Sequence, residues 1–260
     1  SPSNQDRSQL WNSIRYSAVR RDLEKAGYRT VAFATGFAWS EIDNADVYFG
    51  ISPLWSGMTG FETLMLRTTP ARHLQDIGVL NFDEIDGQRY RQRTLQVFDR
   101  MEELAHMPGP KFVFIHVVSP HPPFVFGPDG TPTDPALFLN QDRIYTAEKY
   151  AQGYVNQVMF LNQKVEQAVA TLIGESSTPP VIILQGDHGP WIQTGSNQFK
   201  ILNAYYLPGH RDRLYPSVSP VNTFRIILDS YLSADYKLLE DVSYYSPVPY
   251  LYNFTKVPNP

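Results

Sequence analysis

The sequence of 260 residues contains no cysteine. Disulfides, thiolate catalysis and cysteine-ligated zinc are therefore excluded, and a bound metal would have to use Asp, Glu, His or hydroxyl ligands. Long apolar runs are also missing, since none comes near the roughly 20 residues that a helix needs to span a bilayer.

Positive charge is scarce as well. Lys and Arg number 22 against 26 Asp and Glu, which gives a formal net charge of −4. The basic residues are scattered, so the sequence lacks the basic stripe that nucleic-acid binding requires. Hydrophobic residues make up 42% of the chain, enough to bury a sizeable core and to argue against extensive disorder. With no repeat and no obvious linker, we expect a single domain over 1–260.

Helical and strand patterns alternate along the chain, which is typical of an α/β fold. Gly27 marks the end of the first helix, Gly36 a turn after the first strand, and Pro220 the start of the last helix. The predicted helices are 7–26, 89–105, 142–173 and 220–232. The predicted strands are 30–34, 47–49, 111–118, 181–184 and 200–207. We expect 111–118 to be central in the sheet, 181–184 to be buried, and the tail from 240 to be an irregular strap.

Two of the predicted strands run into polar clusters. Val181–Leu184 leads to Asp187 and His188, and Lys111–Val118 leads to His121. Ligands of open α/β sheets bind beyond the carboxyl ends of the strands, so both clusters lie where a site is expected.

Asp187 and His188 combine a carboxylate with an imidazole, which suits Zn²⁺, Mn²⁺ or a similar divalent ion. Gly186 and Gly189 on either side permit a tight turn in which both side chains face one ion. The alternative is that Asp-His-Gly occurs by chance and that Asp187 only caps the next helix.

The two histidines of the second cluster also have two readings. His121 lies between prolines that fix the direction of the loop, and it could hold an anionic substrate oxygen or a leaving group. Alternatively it is a surface histidine in a proline-rich turn. His116 could face the site, but we favour a hydrogen-bonded core histidine.

Several segments together resemble the sulfatase-like domains of the alkaline phosphatase superfamily, a group that includes lipoteichoic acid synthases and phosphoethanolamine transferases. The segment 112–124 (FVFIHVVSPHPPF) resembles their histidine-containing loop, and 181–189 (VIILQGDHG) their second metal-ligand motif. The segment 25–33 (KAGYRTVAF) is similar to the unit that follows the nucleophile in that family. Segments 201–208 and 219–225 resemble its downstream part.

The resemblance implies an alkaline-phosphatase-like, mainly parallel sheet flanked by helices. It implies Asp187 and His188 as ligands of a divalent metal ion (Mn, Zn, Mg or Ca) and His121 as a substrate-binding histidine. The family transfers phosphoryl, phospho-alcohol or sulfuryl groups from a Thr, Ser or formylglycine nucleophile beside the metal. The function implied is a hydrolase or transferase of phosphate or sulfate esters.

The family places an acidic ligand and the nucleophile before the Gly-Tyr-Arg-Thr-Val unit, and only 26 residues precede Gly27 here. We therefore expect an N-terminally truncated, incomplete catalytic domain without a nucleophile, inactive on its own. Its parent would be membrane-anchored and the domain extracytoplasmic, by family analogy. An exposed sheet edge would permit a homo-oligomer. The alternative is a non-catalytic sulfatase-like module that binds an anionic ligand or a protein partner.

Overall fold

A computed structural model describes residues 8–51, 64–66, 68–70, 72–79, 81–133, 146–190, 195–246 and 252–257. The helices are α1 (Ser8–Arg15), α2 (Ala18–Lys25), α3 (Arg72–Asp76), α4 (Phe82–Asp99), α5 (Met101–His106), α6 (Ala147–Glu175) and α7 (Pro220–Leu232). The strands are β1 (Arg29–Phe33), β2 (Val47–Phe49), β3 (Lys111–Phe114), β4 (Ile182–Gln185), β5 (Asn203–Tyr206), β6 (Ser243–Tyr245) and β7 (Thr255–Val257).

The chain divides into two compact units. One is residues 29–175, which we call the central unit, and the other combines 1–28 with 176–260, which we call the terminal unit. The expectation of a single domain over 1–260 stays a prediction.

The central unit is built on a parallel sheet in the order β2-β1-β3. Thr30 to Phe33 of β1 are buried, as expected of a strand with neighbours on both sides. Ala32 pairs with Tyr48 of β2 and with Phe114 of β3. The parallel sheet and its flanking helices confirm the α/β class.

The prediction that 111–118 is a central strand was wrong. Strand β3 ends at Phe114 and lies at an edge of the three-stranded sheet, and its residues are half-buried. Within the described residues β1 is the central strand. An apolar sequence shows that a strand packs against a core, but not how many neighbours it has.

The core of the central unit lies on one face of β1 and β3. Val31 and Phe33 pack there with side chains of α4 and α5, among them Val97 and Leu104. Val113, Ile115 and Val117 pack against the same cluster, as the two-residue period of extended chain requires. A second cluster joins Tyr90, Val125, Phe126 and Phe160.

Two predicted helices are each divided in two. The segment 7–26 forms α1 and α2, because the Ser17 hydroxyl accepts a bond from the Arg20 amide and starts a new helix. The segment 89–105 is covered by α4 and α5, which are divided at Arg100. Gly27 follows α2 with φ +85°, as predicted for a helix end.

In the terminal unit, β4 pairs with β5 in antiparallel orientation. The prediction that 181–184 is buried was wrong: residues 182–184 are half-buried and Val181 is 38% exposed. Helix α7 has the predicted bounds, with Pro220 in its first turn. The tail is more regular than a strap, because β6 and β7 form a two-stranded antiparallel sheet.

Helix α6 begins at Ala147, within the predicted 142–173, and residues 142–145 lie outside the described residues. None of the described helices is both long enough and apolar enough to cross a bilayer.

Candidate functional site

Asp187 and His188 follow directly after β4, in a segment that two backbone hydrogen bonds hold at its ends. The Gly186 amide donates to Leu202 O at 2.9 Å, and the Gly189 amide donates to Gln198 O at 2.7 Å. Both side chains are exposed, Asp187 to 82% and His188 to 49%, and Asp187 Oδ1 accepts from the His188 amide at 3.0 Å.

The end of β4 is fixed further by Gln185. Its side-chain amide lies at hydrogen-bonding distance from Asn203 Oδ1 (2.9 Å), Tyr205 Oη (3.1 Å) and Thr223 Oγ1 (2.9 Å). Thr223 is buried on α7, so the strand that carries the Asp-His pair is tied to a helix as well as to β5. These hydrogen bonds fix the position of Gln185, two residues before Asp187.

The hydrogen bonds of the pair determine the His188 tautomer. His188 Nδ1 lies 2.7 Å from Gly189 O, and a carbonyl can only accept, so Nδ1 carries a proton. In the neutral ring, Nε2 then holds the lone pair, and it lies 3.6 Å from Asp187 Oδ2. A backbone carbonyl that orients a histidine in this way is a common feature of metal ligands.

This pair fits a divalent ion. Imidazole nitrogen and carboxylate oxygen each bind zinc at about 2.0–2.2 Å, so two donors 3.6 Å apart can share one ion. The described residues do not bring a third His, Asp or Glu to the pair. Among the described residues the pair therefore offers two donors to an ion, and no more.

His121 belongs to the central unit and lies in the proline-rich loop after β3. It is exposed, and its Nδ1 donates to Pro122 O at 2.6 Å, which leaves Nε2 to carry the lone pair of the neutral ring. The Tyr90 hydroxyl donates to His121 O at 3.1 Å. Burial raises the pKa of Tyr90, so this donor keeps its proton at any ordinary pH.

Gln157 of α6 holds the same loop through two hydrogen bonds from its side chain to the loop backbone. It is fully buried, its Oε1 accepts from the Val125 amide at 2.8 Å, and its Nε2 donates to Pro120 O at 3.3 Å. Arg91 adds bonds to the carbonyls of Val125 (2.7 Å) and Gly130 (2.9 Å). His121 is therefore an exposed imidazole on a firmly held loop, which is what a substrate contact requires.

A third polar cluster lies at the carboxyl ends of β1 and β3, and the sequence did not reveal it. His116 is not a core residue, as we had favoured; it lies beyond the end of β3 and is half-buried. Its Nδ1 is 2.5 Å from Ser40 Oγ. Its ring and that of Phe37 form a T-shaped pair, with ring centres 6.1 Å apart.

Glu41 organises the loop of residues 35–41, which we call the 35–41 loop. Its carboxylate accepts from the amides of Thr35 (3.2 Å) and Gly36 (3.1 Å), from the Thr35 hydroxyl (3.0 Å), and from the Tyr48 hydroxyl. Burial, and next to it the bond to Glu41, raise the pKa of Tyr48. Thr35 Oγ1 lies 3.3 Å from Ser40 Oγ, so the network reaches from Glu41 to His116.

Arg93, a cationic side chain of α4, adjoins this loop. A Cβ at Gly36, where φ is +70°, would come within 2.5 Å of Arg93 Cζ, so the guanidinium packs directly on the loop. Burial lowers the pKa of Arg93, and the neighbouring Arg89 lowers it further. Arg89 pairs with Asp86 at 3.7 Å, yet its buried Nε has no hydrogen-bond partner among the described residues.

The predicted residues are thus distributed over both units. Asp187 and His188 lie together in the terminal unit and His121 lies in the central unit. The sequence missed Ser40, Glu41 and Gln157. For Ser40 and Glu41 a signal existed, because they follow a buried strand at the edge where α/β folds bind ligands.

A family model for sulfatases matches residues 17–217, which is most of the chain. This chain therefore belongs to the sulfatase family, and the resemblance seen in the sequence is confirmed. Searches of curated proteins and of solved structures gave no match. Enzymes of this family hydrolyse or transfer sulfate or phosphate ester groups and generally use a divalent metal.

Proposed function

We propose that this chain contributes a divalent-metal site to a hydrolase or transferase of phosphate or sulfate esters. The observation that carries the proposal is the Asp187–His188 pair, with donor atoms 3.6 Å apart and the imidazole oriented by Gly189 O, inside a sulfatase-family match. The pair is two ligands of a site, so the proposal includes an incomplete catalytic domain.

Each of these residues has a distinct task. Asp187 and His188 hold the ion, which when bound withdraws charge from the ester and lowers the pKa of a coordinated oxygen. By the family resemblance, His121 of the central unit is a substrate-binding histidine. Gln157 and Tyr90 keep the backbone of the His121 loop in place.

The test is calorimetric titration of the full chain with Mn²⁺ and Zn²⁺. Asp187→Ala is expected to abolish binding, because it removes one of two ligands. Asp212→Ala is the matched control, since Asp212 is an exposed carboxylate of the same unit. Equal binding by wild type and Asp187→Ala, or no binding by wild type, would refute the metal site.

Hydrolysis of 4-nitrophenyl phosphate and 4-nitrophenyl sulfate with added Mn²⁺ separates the two ester classes.

A non-catalytic module that binds an anion is the second candidate, and it is favoured by the lack of a third ligand in the described residues. Metal binding without any turnover that depends on the metal is the result expected of an incomplete domain or of such a module.

The setting of the domain is also a proposal and rests on family analogy. We propose that the parent protein is membrane-anchored and carries this domain outside the cytoplasm. The outer edge of β3, which has no partner strand among the described residues, would permit pairing of two copies.

A further inference from the structure

We infer that Ser40 is a nucleophile and His116 its general base, in a second reactive site that acts on an anionic ester such as a phosphate or sulfate monoester. The site lies entirely in the central unit. It goes beyond the proposed function and requires neither Asp187 nor His188.

The first step of the argument is the contact itself. Ser40 Oγ and His116 Nδ1 are 2.5 Å apart, within the reach that a nucleophile and its base need. The next-nearest acceptors of the Ser40 hydroxyl, Phe37 O and Thr35 Oγ1, are both at 3.3 Å. In the tautomer with the lone pair on Nδ1, the imidazole is therefore the nearest acceptor for the hydroxyl proton.

The second step is the rigidity of the loop that carries the serine. The Ser40 amide donates to Phe37 O at 3.0 Å, and the Phe37 amide donates to Thr35 Oγ1 at 3.0 Å. Glu41 fixes Thr35 and Gly36 through both backbone and hydroxyl donors. A nucleophile held this way loses little further freedom when it reacts.

The third step is location. Ser40 and His116 follow β1 and β3, two adjacent parallel strands, at the edge where open α/β sheets bind ligands. Phe37 and Trp39 of the same loop are 47% and 37% exposed. Their rings are suited to contact the organic group of an ester whose head reaches Ser40.

The fourth step is charge. Arg93 packs on Gly36, and Arg89 is close enough to lower the pKa of Arg93. Glu41 and Asp86 raise the pKa of Arg93 in turn, and Arg89 pairs with Asp86. The buried Nε of Arg89 nevertheless lacks a partner among the described residues, which leaves one N–H of this cationic pair to donate to an anion. This is why the substrate class is an anionic ester.

The reaction balances without a further cofactor. Ser40 Oγ attacks the phosphorus or sulfur, an Oγ–P or Oγ–S bond forms, and the bond to the leaving oxygen breaks. His116 Nδ1 takes the hydroxyl proton and passes it to the departing alkoxide. Water then attacks the Ser40 ester, loses its proton to His116, and releases phosphate or sulfate.

A purely structural role for the pair predicts something different. The Ser40–His116 bond would then only tie the 35–41 loop to the segment after β3. Loss of either side chain would lower the melting temperature, and Ser40 would be inert towards electrophiles.

The test is labelling of the full chain with an aryl fluorophosphonate, read by intact mass and peptide mapping. Ser40 Oγ should displace fluoride and form one adduct, mapped to residues 35–41. Ser40→Ala should lose the adduct, and His116→Gln should slow labelling by ~100-fold or more, within the range of general-base catalysis. Ser217→Ala, which alters an exposed serine elsewhere, should label like wild type.

Absence of a Ser40 adduct in wild type, or labelling of His116→Gln at the wild-type rate, would overturn the inference. Mapping of the wild-type adduct needs no variant, so the test holds even if His116→Gln is unstable. Chelator should not change labelling, which separates this site from the proposed metal centre.

The prediction that the substrate is an anionic ester is tested separately, by protection from labelling. Phenyl phosphate or phenyl sulfate should slow labelling of wild type, and the one that does identifies the ester. Arg93→Gln should still be labelled but lose this protection. Labelling that neither anion slows would refute the assignment of an anionic ester.

Discussion

Gln157 illustrates how a single side chain far from the exposed surface can control a candidate substrate residue. Its amide bridges Pro120 O and the Val125 amide across the loop that carries His121. We expect Gln157→Leu to lower the free energy of unfolding by about 2–4 kcal/mol, because it leaves the buried Val125 amide and the half-buried Pro120 carbonyl without this partner. Urea denaturation followed by circular dichroism measures this loss.

The control for that prediction is Gln152→Leu on the same helix. Gln152 is exposed and bonds only across one turn, to Asn156 among the described contacts. Its replacement should change the free energy of unfolding by no more than about 0.5 kcal/mol. A Gln157 variant that behaves like this control would show that the loop does not depend on the bridge.

At the residue scale, the sequence allowed the prediction of some site residues and not of others. Asp187, His188 and His121 could be predicted as candidates because they stand in short motifs directly after apolar segments, and their roles stay predictions. Ser40 and His116 are 76 positions apart, and their contact arises only because β1 and β3 are adjacent in the sheet. No local pattern records such a pairing.

Among the elements, helix α7 is attached at its first turn to the segment of residues 239–241. The Asp241 carboxylate accepts from the Ser219 amide (2.8 Å) and hydroxyl (2.5 Å) and from the Tyr215 hydroxyl (2.6 Å). Asn222, fully buried on α7, exchanges two hydrogen bonds with the backbone of Leu239. These contacts hold residues 239–241 against the helix.

The protonation of Asp241 should make this attachment dependent on pH. Burial alone would raise the pKa of Asp241, but the bonds from Ser219, Tyr215 and Asn222 outweigh it and lower the pKa. A lowered folded-state pKa stabilises the protein above the unfolded value of about 3.9, and the effect is lost as pH falls through the folded value. Asp241→Asn should therefore cost about 2 kcal/mol at pH 7.

Thermal denaturation of wild type and Asp241→Asn at pH 7, 5 and 3 tests this prediction. The difference should persist at pH 5 and shrink at pH 3, which lies below the unfolded value, because the unfolded-state carboxyl then takes up a proton more readily than the folded one. Asp212→Asn is the control, because Asp212 is exposed and should behave like wild type throughout. If the difference in melting temperature between wild type and Asp241→Asn is the same at all three pH values, the charge of Asp241 has no role in stability.

The elements also show where sequence patterns are informative. Pro220 and an apolar face predicted the bounds of α7 correctly, because both signals act within the helix itself. The apolar period of 7–26 did not reveal the break at Ser17, since a capping serine is compatible with a continuous pattern. Strand β3 was assigned a central place because apolar content reports burial and not the order of strands.

At the scale of the whole molecule, the two units differ in how the chain builds them. The central unit is one continuous segment and contains both packed clusters, around Phe33 and around Phe126. The terminal unit joins two distant segments, and the Tyr236 hydroxyl bonds to Asp22 at 2.5 Å within it. Continuity and a core of its own are the properties of a segment that folds alone.

We therefore expect residues 29–175, expressed alone, to fold cooperatively. Far-UV circular dichroism should show native helix, and urea should unfold the segment in a single transition. The segment contains Ser40, His116 and Arg93, so it should also react with the fluorophosphonate at the rate of the full chain. A broad, non-cooperative transition would show that the central unit depends on residues 1–28 or 176–260. A folded segment that does not label would place the reactivity of the serine outside the central unit.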